Sequence, residues 1–149
     1  MSRRRLFDAE TVLKPVYGRV GEGVAIAAGS DRALTFGGRL DPHITSAAES
    51  GIDVLCITDH NAIAGAVQLA DRLPCRVVVG EELRTHAGEI IGLFLTERVP
   101  FGVPPAEAAQ LIRAQGGVVY VPHPFDPMRR NLAEPALQAL TDAGLVDAI

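Results

Sequence analysis

Ile52-Asp53-Val54-Leu55-Cys56-Ile57-Thr58, followed at once by Asp59-His60-Asn61, is the stretch that decides the fold class. Its apolar residues run almost without a break, as in a strand buried on both faces of a sheet. Chemistry-bearing side chains then arrive together at its end. Similar units lie downstream. Arg76-Val77-Val78-Val79 reads as a second buried strand leading to Glu81-Glu82. Glu89 to Leu95 reads as a third, and Val118-Val119-Tyr120-Val121 as a fourth that ends at Pro122-His123-Pro124. Helical patterns separate several of them. From Ala62 to Leu73, residues Ile63, Ala66, Val67 and Ala70 share one face, and Pro74 stops the run. Pro104-Pro105 opens a helix through Ala109 and Ile112, closed by Gly116-Gly117. Leu132 to Ala143 is a further helix, and Leu145 to Ile149 begins another strand.

Apolar strands alternating with helices predict an α/β domain with a parallel sheet covered by helices. A whole α/β barrel usually needs more than the 149 residues of this chain, so the expectation is an incomplete barrel. Upstream, Asp41-Pro42 reads as a helix start, with the helix running to Ser50 and ending at Gly51. Residues 1–37 form a poorly patterned segment, because Gly18, Gly21, Gly23, Gly29 and Gly37 break any helical period. Val24-Ala25-Ile26-Ala27-Ala28 is its one candidate strand. Residues 38–149 are read as the partial domain.

The chain is 48% hydrophobic and 21% charged, enough to bury a core. A net charge of -4 and a pI near 5.5 exclude a globally basic surface for nucleic acid. Cys56 and Cys75 share no short spacing and sit in apolar runs, which predicts buried free thiols in a reducing compartment. Arg3-Arg4-Arg5 is followed by Asp8 and Glu10 where the apolar core of a signal peptide would begin. No apolar run reaches the ~18 residues that span a bilayer. The expectation is a cytoplasmic protein with no membrane partner.

In parallel α/β structures ligands gather at the carboxyl ends of the strands. Asp59, His60, Glu82 and His123 are therefore expected to converge. Imidazole and carboxylate together suit manganese, zinc or iron. Such an ion polarises a phosphoryl oxygen and acidifies a bound water. Each residue also has a plainer reading. His60 would cap the next helix, and Glu82 would be a solvated loop carboxylate. Asp59 either orients a histidine or caps that helix. His123 lies between two prolines, a rigid setting that would aim its ring. Arg129-Arg130 either grip a substrate phosphate or form a solvated turn. His43 and His86 read as surface residues. Gly116-Gly117 is no phosphate loop, since no GxxxxGK[ST] pattern surrounds it.

Ile57-Thr58-Asp59-His60-Asn61 resembles the ITDHN motif of the PHP (polymerase and histidinol phosphatase) family, down to the preceding Gly51-Ile52-Asp53-Val54-Leu55. Val79-Gly80-Glu81-Glu82-Leu83-Arg84-Thr85 is similar to that family's GxExxT element, and Val121-Pro122-His123-Pro124 to its strand ending in HP. The resemblance covers about residues 38–149 and keeps the motif order. It implies a distorted (β/α)7 TIM-like barrel, here incomplete. It implies a metal-dependent phosphoesterase with Glu82 as metal-bridging residue, His60 and His123 as ligands, and Asp31 in the place of the acid of the first loop. The plainer reading of Asp31 is a turn aspartate. The family's HxH would fall at Val24 and Ile26, the histidine of its third strand at Ile91, and its last Asp-x-His beyond Ile149. At most one full metal site is therefore expected.

Two functions compete. One is a phosphoesterase acting on a small phosphorylated substrate or on a nucleotide or oligonucleotide end, with Asp59, Arg129 and Arg130 assisting. The other is a catalytically eroded binding or structural module, which Val24, Ile26 and Ile91 favour. An uncovered edge strand on a partial barrel would also favour oligomers.

Overall fold

The computed structural model describes residues 53–149 and the backbone of Val24–Ala28. The expected helix from Asp41 to Ser50, the boundary at residue 37, and Asp31 and His43 lie outside the described residues.

The Ile52–Thr58 run forms β2 (Val54–His60), and residues 55–59 are all buried. The candidate first strand is β1 (Val24–Ala28), parallel to β2 with Val24 opposite Val54. After β2 the chain forms α1 (Ala64–Leu69), which buries Ala66 and Leu69. This helix is shorter than its apolar pattern predicts. Pro74 disfavours helical backbone at Leu73, and the chain tightens before it, with the Arg72 N–H donating to Leu69 O at 3.0 Å.

β3 (Arg76–Thr85) is ten residues long and runs parallel to β2, with Val54 opposite Arg76 and His60 opposite Glu82. The reading from sequence ended this strand at Val79. It continues because β4 (Gly88–Leu93) folds back on it, pairing antiparallel from Gly80 opposite Leu93 to Thr85 opposite Gly88. Pairing with β4 satisfies the backbone of a polar stretch that alone reads as loop. Thr85 closes the turn: its hydroxyl donates to Gly88 O at 2.6 Å and accepts the Ala87 N–H at 3.2 Å. α2 (Pro105–Ala114) has Glu107 in its first turn and Arg113 in its last, both favourable to the helix dipole. β5 (Val118–Tyr120) pairs antiparallel with β4, and α3 (Glu134–Asp142) follows. The last expected strand is only a parallel bridge between Tyr120 and Ala148. The Asp147 carboxylate supports it by taking the Arg113 guanidinium at 2.7 Å and the Val119 N–H at 3.0 Å.

The described sheet has the order β1-β2-β3-β4-β5 and is mixed and open. This corrects the expected incomplete TIM-like barrel with its parallel sheet. β4 runs against both neighbours, and the sheet does not close. The physical reason is the length of the connection. Parallel neighbours need a crossover of a dozen or more residues, whereas only His86 and Ala87 separate β3 from β4. The strands β1, β2, β3 and β5 still point one way, so β2 and β5 end on the same edge. The main core lies on one face, where Leu83, Ile90 and Val119 pack with Ala108, Ala109 and Ile112 of α2 and Leu140 of α3. α2 approaches β4 closely because Gly92 has no side chain; a Cβ there would meet Ile112 at 2.9 Å. Among the described residues, no helix is long and apolar enough to cross a membrane.

Gly88 is the point where the hairpin meets the loop beyond β5. Its φ is +126°, and a Cβ would overlap the Asn131 carbonyl oxygen. Gly88→Ala is expected to destabilise the fold by about 2 kcal/mol or more, through strain and overlap with backbone that cannot swing away. The shift of the urea unfolding midpoint checks it.

Candidate metal centre

One row of residues crosses four strands in register: His60 opposite Glu82, Glu82 opposite Ile91, and Ile91 opposite Tyr120. Side chains directly opposite one another in a sheet share a face. Glu82 therefore stands beside His60 and in the middle of the sheet. His123 reaches it from the segment just past β5. The two imidazoles flank one carboxylate: His60 Nε2 lies 3.9 Å from Glu82 Oε2, and His123 Nε2 lies 3.5 Å from Glu82 Oε1. Glu89 completes the cluster. One ligand atom each of Glu82, Glu89 and His123 lies within 4.8 Å of the others.

The backbone around these residues is sharply shaped. Asn61 has φ 52°, donates its N–H to Glu82 O at 3.1 Å and accepts the Arg84 N–H on its side-chain oxygen at 2.9 Å. That fold-back holds His60 against β3. His123 has φ 34°, an uncommon value for a residue with a Cβ, and one that recurs at functional sites. Its carbonyl accepts the Asp126 N–H at 3.1 Å, and the Asn131 side chain donates to Pro124 O at 2.9 Å. The loop is then tied to the hairpin, where the Glu89 N–H donates to Arg130 O at 3.2 Å.

The cluster is buried and poorly self-satisfied. The side chains of Glu82 and Glu89 are only 5% and 6% exposed. Nδ1 of His60 and Nδ1 of His123 are buried without a hydrogen-bond partner among the described residues. Two buried carboxylates side by side repel each other, and a cation between them would offset both charges. The donor set of two carboxylates and imidazole nitrogen fits a divalent ion such as manganese, zinc or iron.

Of the residues singled out from sequence, His60, Glu82 and His123 come together. Asp59 does not join them. It sits opposite Glu81, one residue out of phase with His60 and Glu82, and so takes the other face of the sheet. Arg129 is 63% exposed and pairs with Asp126 at 3.3 Å, and Arg130 is exposed. His86 is exposed in the hairpin turn, in line with its surface reading. Ile91, read as the place of a missing histidine, is fully buried in the central row. Glu89, two residues earlier on the same face, was not singled out. Its signal lay in the strand alternation of Glu89-Ile90-Ile91, readable only once β4 is known to pair with β3.

Glu81 and Glu82 are neighbours on opposite faces. Burial pushes the Glu82 carboxyl above the usual carboxylate range; His60 and His123 pull it back, and Glu89 adds to the rise. Burial likewise raises Glu81, against the Val99 N–H at 2.9 Å and the charge of Arg98. Tyr120 is raised by burial and by the negative charge of Glu82. Raised carboxyls bind protons more tightly in the fold than in the unfolded chain. Their stabilising contribution is thus full below the ordinary value of 4.5 and lost as pH climbs through the raised values. In chelator-treated protein, the urea midpoint is expected to fall as pH rises above the ordinary carboxyl value of 4.5. Glu81→Gln, which keeps a carbonyl acceptor for Val99, should flatten that fall.

No family model matches the chain. It is similar to two uncharacterized proteins of Methanocaldococcus jannaschii. One is 44% identical over 91 residues, covering 59% of this chain and 53% of the relative. The other is 44% identical over 78 residues, covering 52% of this chain and 30% of the relative. The chain thus spans about half of one curated relative and less than a third of the other.

Proposed function

We propose that the chain holds a divalent metal ion on Glu82, Glu89 and His123, flanked by His60, and uses it to hydrolyse phosphate esters. The observation that carries this reading is the buried Glu82 carboxylate between two imidazoles, with a second buried carboxylate beside it. A buried negative pair of this kind is costly without a cation. The resemblance to PHP motifs at His60, Glu82 and His123 supports the phosphoesterase class. Those motifs are carried here on an open mixed sheet. Manganese, zinc and iron all suit the donors.

When bound, the ion would supply a water acidified for attack and a Lewis acid for a phosphoryl oxygen. The chain's own residues do the rest. Glu82 and Glu89 hold negative charge in a site shielded from water. The turns at Asn61 and His123 fix the imidazoles. Arg129 and Arg130, on the loop tied to Glu89, are candidates to offset substrate charge, Arg129 being shared with Asp126. The substrate class is a small phosphorylated molecule or a nucleotide or oligonucleotide end. Asp59, buried beside Glu81, acts on the fold of β2 in this reading. The buried free thiols of Cys56 and Cys75 fit a reducing, cytoplasmic setting.

A second reading is a binding or structural module on the same scaffold. Ile91 favours it, since an apolar side chain fills the row where the family carries a histidine.

The test is metal content and turnover together. Purified protein is expected to bind about one Mn2+ or Zn2+ per chain, with affinity reduced at least about tenfold in His123→Ala and in Glu89→Gln. Manganese-dependent hydrolysis of an aryl phosphate should disappear in the same variants. Metal binding without turnover would favour the module, and no metal binding would overturn the site.

A further inference from the structure

Arg84 lies two residues after Glu82 on β3 and opposite Glu89 on β4. Residues two apart on a strand share a face. Its backbone is clamped from the side that β2 no longer covers: the N–H donates to Asn61 Oδ1 at 2.9 Å, and the carbonyl accepts the Gly102 N–H at 2.7 Å. The side chain, by contrast, is loosely held. Its Nε stands 3.6 Å from Glu89 Oε1, beyond hydrogen-bond length, and the guanidinium makes no hydrogen bond among the described residues. Arg84 is 48% exposed while Glu89 is 6% exposed. A guanidinium with five donors thus rests on a buried carboxylate of the cluster, its polar end half in water.

We propose that Arg84 is a further anion-binding residue of this site, specific for a terminal phosphate group. The inference rests on the metal reading above. Without a cation, Arg84 is the counter-charge of Glu89. With a cation on Glu82, Glu89 and His123, that duty passes to the ion, and the guanidinium is released toward solvent. Two residues from Glu82 and opposite Glu89, it would remain beside the cluster that holds the ion. A planar guanidinium matches phosphate oxygens in pairs, which a point charge does not. Because Arg84 and the ion compete for Glu89 and then attract the same anion, phosphate and metal binding are coupled. Arg129 stands differently, since Asp126 already occupies it. Arg84 was passed over in the sequence because a lone arginine inside a GxExxT-like stretch carries no spacing signal.

The experiment titrates Mn2+, and then inorganic phosphate at saturating Mn2+, into the full chain and into Arg84→Gln and Arg84→Lys. Calorimetry reads binding, and circular dichroism confirms each fold. Expected in Arg84→Gln is Mn2+ affinity unchanged or tighter, with phosphate affinity weaker by about tenfold or more. Arg84→Lys should recover part of the loss. Phosphate affinity unchanged in folded Arg84→Gln overturns the proposal and leaves the metal site standing. Equal loss of Mn2+ and phosphate binding overturns it in favour of a structural role. A parent chain that binds no Mn2+ overturns the metal reading and this inference together. Should Arg84→Gln fail to fold, Arg84→Lys decides, since a point charge is expected to weaken phosphate binding without weakening Mn2+ binding.

Discussion

β3 outlives β2. Where β2 ends at His60, β3 has three residues still to run, and antiparallel pairing with β4 keeps them extended. The candidate site depends on this one pairing. It converts Glu82 from a loop carboxylate into a strand residue with a set direction. It sets Glu89 on the same face, and it brings β5 alongside so that His123 arrives at the same edge. The supports of the pairing are local and cheap to disrupt: the Thr85 hydroxyl across the turn, and the bare Gly88 backbone under the Asn131 carbonyl.

The cost of the arrangement is buried charge. Glu81 and Glu82 are consecutive, buried, and on opposite faces of the sheet. Glu81 has a structural use: it accepts the Val99 N–H and so anchors the loop between β4 and α2 over the core. Its second oxygen has no hydrogen-bond partner among the described residues. Among the described residues, Glu82 faces two imidazoles, at 3.9 and 3.5 Å, and one carboxylate neighbour that repels it. A fold does not gain stability from such a group left alone. Glu81 is held by a backbone donor on the core face, whereas Glu82 faces titratable side chains on the other, and that difference in surroundings supports the proposal that Glu82 serves a ligand.

Much of the site was legible in sequence because strand ends can be read from apolar runs. Val54–Ile57 and Val118–Tyr120 are continuous enough to locate His60 and His123 just past buried strands, and both imidazoles do meet Glu82. The direction of the strands was not legible in the same way. An apolar run looks alike in parallel and antiparallel sheets, and only the two-residue link between Thr85 and Gly88 carried the information that β4 must turn back. The barrel expectation came from the alternation of apolar strands with helices and from the PHP-like motifs, neither of which carries the direction of β4. The face that Asp59 takes was likewise not legible: adjacency in sequence is opposition in a strand, and Asp59 lies on the face away from His60.

Among the described residues, the sequence by itself located the apolar centres of the strands and helices and the imidazoles at two strand ends, though not the full length of β3 or α1, because apolar periodicity and proline or glycine punctuation act over a few residues. Tertiary structure alone decided that the sheet is open and mixed, that Glu89 and Arg84 stand beside Glu82, and that Ile91 fills the centre of the row. These facts follow from the register between strands, set by hydrogen bonds between residues that no local pattern relates.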